Sequence, residues 1–182
     1  MKIYTRAGDD GTTGLLYGGR VRKDAGPIEV NGAVDEAQAF LGAARAEAGV
    51  DHPLAETILG LERDLWVLMA EVATSPENRS KLTPGASMVT DDMVTALESA
   101  IDAIMAVTQM PTEFVVPGEN RLAATLDVAR TVVRRAERLA VTAGLESSLV
   151  VAYLNRLSDL CWAMARSAAG ASTPVRSLGK RS

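Results

Sequence analysis

The chain has one cysteine, Cys161, and one histidine, His52, among its 182 residues. An intrachain disulfide is therefore excluded, and one thiol with one imidazole cannot form a zinc site. Cys161 falls on the apolar side of a predicted helix, which favours a core residue over a nucleophile. His52 precedes Pro53 at a helix start and is interpreted as a loop residue. No Ser/His or Cys/His arrangement suited to nucleophilic catalysis is present.

Aromatic residues are also scarce, at 4% of the chain, so the core must be aliphatic and rich in alanine. The net charge of −4 provides no general basic field for nucleic acid, which excludes that class of partner. No run of 18 apolar residues and no apolar N-terminal leader occur, so we expect a cytoplasmic protein without a membrane segment. The length predicts a single domain spanning residues 1–182.

The N-terminal 23 residues lack both common nucleotide fingerprints, GxxxxGK[ST] and GxGxxG. They nevertheless contain five glycines, three threonines and five cationic side chains, in the order MKIYTRAGDDGTTGLLYGGRVRK. Glycine lets backbone N–H groups approach an anion, hydroxyl groups add donors, and Lys and Arg supply charge. This composition is poor for a core and well suited to wrapping a phosphate chain.

Almost all of the remaining sequence shows helical periodicity, with apolar residues spaced by three and four positions. A cluster of Pro, Ser and Asn at 74–87 predicts a loop, Thr90 is a helix-capping residue, and Gly144 and Gly170 are stop signals. The pattern predicts an all-α, five-helix up-and-down bundle in which four helices carry most of the core. The tail 171–182 is predicted to be flexible. The predicted helices span 31–47, 54–73, 90 to about 110, 122–143 and 148–169.

The fourth predicted helix carries a polar stripe beside its apolar seam, formed by Asp127, Arg130, Arg134, Glu137 and Arg138. A solvated face with ion pairs at i,i+3 and i,i+4 would explain such a stripe. An anion site or a subunit interface would also explain it, because arginines with few acids between them repel one another. On the fifth predicted helix, a second polar face is formed by Asn155, Ser158, Asp159, Trp162 and Arg166.

Two acids in the first predicted helix, Asp35 and Glu36, have three possible roles. They could act as general acid and base, or lie near the helix N-terminus, where negative charge is favoured. Asp35 could instead meet an arginine of another helix or another chain.

Four separated motifs resemble the ATP:cob(I)alamin adenosyltransferases of the propanediol-utilisation type, over roughly residues 1–170. The first is TRAGDDGTTGL (5–15), followed by GGRVRK (18–23). The second is GAVDE (32–36), and the third is the FVVPG turn (114–118). The fourth combines VARTVVRRAER (128–138) with YLNRLSD (153–159). Their order and number make the resemblance specific.

The resemblance implies a five-helix bundle that assembles as a homotrimer, with active sites between adjacent subunits. Residues 1–24 would fold over ATP. Asp35 and Arg130 would form an ion pair between subunits beside the site, and both are grouped with Arg134 and Phe114 as catalytic residues. The implied cobalamin pocket contains Phe114, Val115 and Val116. The implied ATP contacts are Thr5, Arg6, Ala7, Gly8, Thr13, Gly14, Lys23, Arg134, Glu137, Arg138 and Asn155.

The implied reaction transfers the 5′-deoxyadenosyl group of ATP to cob(I)alamin. The cobalt nucleophile would attack C5′, inorganic triphosphate would leave, and adenosylcobalamin would remain. Catalysis would consist of positioning and charge neutralisation. Mg²⁺ would be coordinated largely by phosphate oxygens, without a dedicated protein ligand cluster. Phe114 would help displace the lower axial ligand of cobalamin, and a reductase and an adenosylcobalamin-dependent enzyme are the expected partners.

The sequence departs from the family pattern at three positions. Glu119 stands where the family often has a second glycine, Asp127 where it often has histidine, and Gly14 where some members carry a hydroxyl. Two other functions remain open at this stage: a different ATP-using enzyme, such as a phosphotransferase, and a non-catalytic bundle that senses or carries ATP and cobalamin.

Overall fold

The structure, a computed structural model, describes residues 3–177 and is predominantly α-helical. A hairpin of two short strands, β1 and β2, precedes the helices, and 3-10 helices occur at Pro76–Lys81 and Val175–Ser177. Within the described range there are five α-helices, as the periodicity predicts. The bounds are β1 Thr12–Gly14, β2 Arg20–Arg22, α1 Gly26–Ala48, α2 Leu54–Val72, α3 Asp91–Val107, α4 Arg121–Thr142 and α5 Leu149–Ala169.

The helices alternate in direction along the chain, but their order in space differs from their order in sequence. Three helix pairs are antiparallel: α1 with α2, α1 with α4, and α4 with α5. In each pair, residues near the start of one helix contact residues near the end of the other. Helix α3 runs parallel to α5 and packs on its outer side. The spatial order is therefore α2, α1, α4, α5, α3, with α2 also touching α5.

The core lies between α1, α2, α4 and α5, and its composition explains how they pack. Four helices contribute nearly all of the fully buried side chains, whereas α3 contributes only Leu97 among the described residues. Alanine is frequent at the α1–α4 contact, and small side chains allow two helix backbones to approach closely. Leucine fills the wider space around α2 and α5. The fully or nearly fully buried alanines of α1 and α4 include Ala33, Ala37, Ala44, Ala129, Ala136 and Ala140.

Local signals in the sequence set most helix ends. The Thr90 side chain accepts a hydrogen bond from the Met93 N–H, as a capping residue does. Asn120 and Ser148 cap α4 and α5 in the same way. Gly144 and Gly170, the two predicted stop signals, follow these helices with φ of 75° and 70°, a conformation that favours glycine.

Two predictions of local structure were wrong. Helix α1 starts at Gly26 rather than at residue 31, with Pro27 in its first turn, where the missing N–H has no helical partner to lose. The N-terminal segment contains an antiparallel hairpin that the periodicity analysis missed, in which Thr12, Thr13 and Gly14 pair with Arg22, Val21 and Arg20. Three-residue strands are too short to produce an alternation signal.

The C-terminal segment beyond α5 is attached to the turn at 114–119. The Val116 N–H donates to the Thr173 carbonyl at 2.9 Å, and the Val175 N–H donates to the Phe114 carbonyl at 2.8 Å. The flexible tail predicted for 171–182 stays a prediction: residues up to 177 make these contacts, and the remainder lies outside the described residues.

A buried carboxylate, Glu71 at the end of α2, joins three parts of the bundle. It accepts hydrogen bonds from the Arg79 guanidinium at 2.6 Å, the Val89 N–H at 2.7 Å and the Ser148 hydroxyl at 2.7 Å. Only 2% of Glu71 is exposed. Because Ser148 is also the cap of α5, this one side chain connects α2, the loop before α3 and the start of α5.

We predict that Glu71→Ala lowers the free energy of unfolding by roughly 3 kcal/mol, because it leaves three buried or half-buried donors without an acceptor. Urea denaturation followed by circular dichroism measures the loss. The matched control is Glu62→Ala, which removes a carboxylate from the same helix but breaks an ion pair with the half-exposed Arg45. The control should lose about 1 kcal/mol or less. Equal losses in the two variants would contradict the role assigned to Glu71.

Candidate active site

The hairpin and its flanking turns form a compact cationic loop, residues 3–24. Lys23 donates its backbone N–H to the Gly11 carbonyl at 2.9 Å, which folds the end of the loop back over its middle. The Lys23 ammonium lies directly over Gly8: a Cβ added at Gly8 would come within 3.2 Å of Nζ and 3.1 Å of the Thr12 carbonyl oxygen. Glycine at position 8 therefore permits this close approach, and the fold brings together residues that the first motif spreads over 16 positions.

Arg20 holds the loop in shape from within. Its guanidinium donates to the Ala7 carbonyl and to the Thr12 hydroxyl, the latter at 2.7 Å from Nη2. Asp10 in turn accepts from the Thr12 hydroxyl at 2.8 Å and from the Thr12 N–H at 2.9 Å. These hydrogen bonds lower the pKa of Asp10, so it remains a carboxylate at neutral pH. Arg20 is thereby committed to the loop itself, while Arg6 and Lys23 are left facing outward.

The loop also carries backbone strain. Arg6 has φ of 61° and Tyr17 has φ of 64°, both in the left-handed region that side chains with a Cβ rarely adopt. Such outliers persist where the surrounding contacts over-determine the backbone, and they cluster at ligand-binding segments. The Arg6 guanidinium lies 5.8 Å from the centre of the Tyr4 ring, and Lys81 lies 5.9 Å from that of Tyr17.

A second polar group lies on the exposed side of α4 and the adjoining turns of α5. Arg134, Glu137 and Arg138, with Val141, line a surface depression of about 320 Å³. The Arg138 guanidinium donates to the Arg134 carbonyl at 2.9 Å, and Asn155 donates from Nδ2 to Glu137 at 2.9 Å. Three residues of the polar stripe on the fourth helix therefore line a concave surface, and Asn155 of the fifth helix contacts one of them, Glu137.

These two groups are separate within one chain. In the range 3–177, no hydrogen bond or ion pair joins the loop to the Arg134 depression. Asp35, exposed on α1, likewise makes no ion pair with any residue of that range, and Arg130 pairs instead with Asp127 at 3.4 Å within its own helix. Within residues 3–177 one chain thus presents two separate cationic groups, here called the half-sites (the loop 3–24 and the Arg134 depression), and an exposed acid, Asp35, with no ion-pair partner.

A cavity of about 450 Å³ opens beside the turn at 114–118. Of the three residues predicted for a cobalamin pocket, Phe114 and Val115 line this cavity, whereas Val116 does not line it and hydrogen bonds to Thr173; their role in binding stays a prediction. Phe114 is 90% exposed, so its ring is not a core residue. The other walls are Pro111, Thr112, Glu113 and Pro117 from the same segment, Asp127 and Arg130 from α4, and Trp162 and Arg166 from α5.

The base of this cavity holds a buried ion pair. Arg166, 3% exposed, donates from Nη2 to Oδ2 of Asp127, which is 7% exposed. Arg130 approaches the other oxygen of the same carboxylate. The sequence analysis placed Arg166 on a polar face of the fifth helix and Asp127 on a stripe of the fourth, and the structure shows that both side chains are turned inward.

The Cys161 thiol, near this ion pair, has its pKa shifted by burial. Burial raises the pKa of the Cys161 thiol to about 12, and the Arg130 charge opposes that shift only partly. The thiol is therefore protonated at neutral pH, which agrees with its interpretation as a core residue.

Glu119 is exposed and accepts a hydrogen bond from the Thr173 N–H at 2.7 Å. Hydrogen bonds from Thr173, aided by the Arg166 charge, lower the pKa of Glu119. Glu119 thus anchors the C-terminal segment.

Within residues 3–177, no group of three or more His, Cys, Asp or Glu side chains is arranged to hold a metal ion. Nor does that part of the chain contain a helix with the length and apolar character needed to span a bilayer.

Sequence reasoning underestimated Trp162 and Arg166. Both lie on the helical face that contains Asn155, at spacings of 7 and 11 residues, so the signal for a common surface was present. The burial of Arg166 could not be read from that signal, because it depends on how the 111–117 segment and α4 cover the end of α5.

Comparison with known proteins assigns the chain to a protein family. The family description "Cobalamin adenosyltransferase" matches residues 3–168. The corrinoid adenosyltransferase of Citrobacter freundii is 38% identical over 168 residues, covering 91% of this chain and 93% of the relative. That of Mycobacterium tuberculosis strain H37Rv is 40% identical over 170 residues, covering 91% and 87%. The chain is therefore similar along most of its length to corrinoid adenosyltransferases.

Solved structures agree. A variant of the PduO-type ATP:corrinoid adenosyltransferase from Lactobacillus reuteri, complexed with cobalamin and ATP, superimposes with a TM-score of 0.85 at 28% identity. The match covers 96% of this chain and 97% of the other. A second variant of that enzyme, complexed with ATP, gives a TM-score of 0.84 at 27% identity. The chain belongs to the cobalamin adenosyltransferase family, and its relatives are of the PduO type.

Proposed function

We propose that this protein is an ATP:corrinoid adenosyltransferase, which transfers the 5′-deoxyadenosyl group of ATP to cob(I)alamin. The observation that carries the proposal is the coexistence, in one chain of this family, of two outward-facing cationic half-sites and a separate cavity beside an exposed phenylalanine. A triphosphate group needs the cationic half-sites, and a corrin ring needs the cavity beside Phe114. The Co–C5′ bond forms as the C5′–O bond breaks, and the triphosphate leaves with the bonding electron pair.

The ATP site is proposed to form between two copies of the chain. The loop residues Thr5, Arg6, Ala7, Gly8, Thr13, Gly14 and Lys23 come from one copy, and Arg134, Glu137, Arg138 and Asn155 from its neighbour. The separation of these two groups within one chain supports this arrangement. The unpaired Asp35 and the partly exposed Arg130 would complete an ion pair across the same boundary, in a homotrimer with three such sites.

The side chains act mainly on charge and position. Arg134 and Lys23 neutralise the charge that develops on the departing triphosphate, and such preorganised donors act most strongly where water is excluded. Glu137 and Asn155 hold one another in place and offer hydrogen-bonding groups to the nucleoside. Mg²⁺ is expected as a companion of ATP, held largely by phosphate oxygens.

Phe114 is proposed to press on the lower face of the corrin and displace its lower axial ligand, which makes Co(II) easier to reduce. Val115 extends the apolar wall. The reaction consumes cob(I)alamin, so a reductase must supply it, and an adenosylcobalamin-dependent enzyme would consume the product. We propose that all of these steps take place in the cytoplasm.

A non-catalytic sensor or carrier is the second candidate, and a phosphotransferase is the third. We expect an anaerobic mixture of the protein, ATP, Mg²⁺ and chemically reduced cob(I)alamin to lose the Co(I) absorbance and to yield adenosylcobalamin with intact inorganic triphosphate. Binding of both ligands without Co–C bond formation would favour the carrier, and release of ADP or AMP would favour the phosphotransferase.

We predict that Arg134→Ala lowers kcat about 100-fold or more, because the leaving-group charge loses a preorganised donor. The assay is the anaerobic one above, with circular dichroism to verify the fold. Arg135→Ala is the matched control: it removes the adjacent arginine, which pairs with Glu36 on α1 and does not line the Arg134 depression. A variant at 134 that keeps near-normal turnover while the control loses activity would refute the assignment.

We predict that Phe114→Ala reduces turnover from Co(II), supplied with a reductant, about tenfold more than turnover from pre-reduced Co(I). The reason is that ligand displacement matters for reduction and not for the transfer itself. The two rates are measured on the same preparation. Val107→Ala, which truncates another exposed apolar side chain at the end of α3, serves as the control. Equal losses from Co(II) and Co(I) would mean that Phe114 only packs against the corrin.

A further inference from the structure

The buried pair of Asp127 and Arg166 lies at the base of the cavity and carries a desolvation penalty. Moving each charge out of water costs several kcal/mol, and the attraction between the two charges offsets this only when their remaining polar atoms also have hydrogen-bond partners. Here they do not: Nε and Nη1 of Arg166 are buried without a hydrogen-bond acceptor in the range 3–177. Stability alone therefore does not explain the pair, since apolar side chains of similar volume would fill the space at least as well.

The geometry of the carboxylate suggests what the pair does. One oxygen of Asp127, Oδ2, is held by Arg166, and the other, Oδ1, lies 3.4 Å from Nε of Arg130. Arg166 is 2% exposed in its side chain and is fixed by packing, whereas Arg130 is 31% exposed and lines the cavity. The Asp127 carboxylate thus bridges the buried Arg166 and the partly exposed Arg130 at the rim of the cavity.

Arg130 needs such support because its side chain is long. A free arginine side chain samples many rotamers, and holding it in one costs up to about 2 kcal/mol of entropy. A carboxylate that is itself immobile reduces that cost, because one partner is already ordered. An exposed Asp127 would also be drawn toward water, and burial against Arg166 prevents this.

The charges at the base of the cavity also matter. Asp127 alone would place a negative charge in a pocket proposed for a corrinoid with an electron-rich cobalt. With Arg166 and Arg130 on either side, the three side chains together carry one positive charge. The negative charge of Asp127 is thus accompanied by a buried positive charge, that of Arg166 on α5.

We infer that Asp127, clamped by Arg166, is a positioning residue that fixes the guanidinium of Arg130 at the rim of the cavity, where it lies beside the proposed corrinoid and can pair with Asp35 of a neighbouring copy. The inference rests on the proposed function, because the corrinoid and the Asp35 partner of Arg130 both belong to it. Both carboxylate oxygens of Asp127 are engaged by Arg166 and Arg130, so its removal is expected to act through Arg130.

A double-mutant cycle tests this directly. Asp127→Asn should lower kcat/KM for cob(I)alamin about tenfold in the wild-type background and less than about twofold in an Arg130→Ala background, because a positioning residue loses its effect when its target is absent. The KM for ATP should change less than about twofold, since neither Asp127 nor Arg130 lines the Arg134 depression. Thermal melting of each variant sets an assay temperature at which all of them are folded.

Asp64→Asn is the matched control, because it makes the same carboxyl-to-amide change at a half-buried position that hydrogen bonds to Tyr153. It should leave kcat/KM within about twofold of the wild-type value. Tenfold losses from Asp127→Asn in both backgrounds, or an equal loss in the control, would overturn the inference while leaving the transferase function intact. Absence of any adenosyl transfer by the wild-type protein would instead refute the proposed function on which the inference rests.

Discussion

The close contact of α1 with α4 is the constraint on which the rest of the structure depends. Both helices are rich in buried alanine, including Ala33 and Ala37 of α1 and Ala129 and Ala136 of α4. Two helices that meet through such short side chains leave no room between them for long polar ones. Arg134, Arg135 and Arg138 are therefore directed away from the seam, toward solvent or toward the edge of a neighbouring helix. The polar stripe follows from the composition of the apolar seam beside it.

The parts of the fold that depend on local chemistry could be predicted from the sequence. The helices, the Thr90 cap and the glycines that stop α4 and α5 follow from periodicity and from backbone preferences. The core location of Cys161 follows in the same way. The early start of α1 was missed, although Pro27 is a signal for a first turn. The β1–β2 hairpin was missed because its strands are three residues long and its order comes from Arg20, a contact across eight residues or more.

The residues of the candidate site come from the resemblance and their roles stay predictions, whereas their arrangement could be foreseen only in part. For Gly8, Lys23 and Arg134 the structure shows a lysine ammonium close over a glycine and an arginine on a concave surface. The burial of Arg166 and the anchoring of Thr173 by Glu119 could not be predicted, because both depend on segments that are distant in sequence and lie together only in the folded bundle.

Both ends of the described chain lie at places where substrates are proposed to bind. The strained backbone at Arg6 belongs to the loop over the nucleotide, and Val175 hydrogen bonds to the backbone of Phe114. A purification tag or fluorescent protein joined close to either end would therefore crowd one pocket or the other. The turn at 49–53, which connects α1 to α2 and takes no part in either half-site or in the cavity, is the better position for attaching a label or a surface tether.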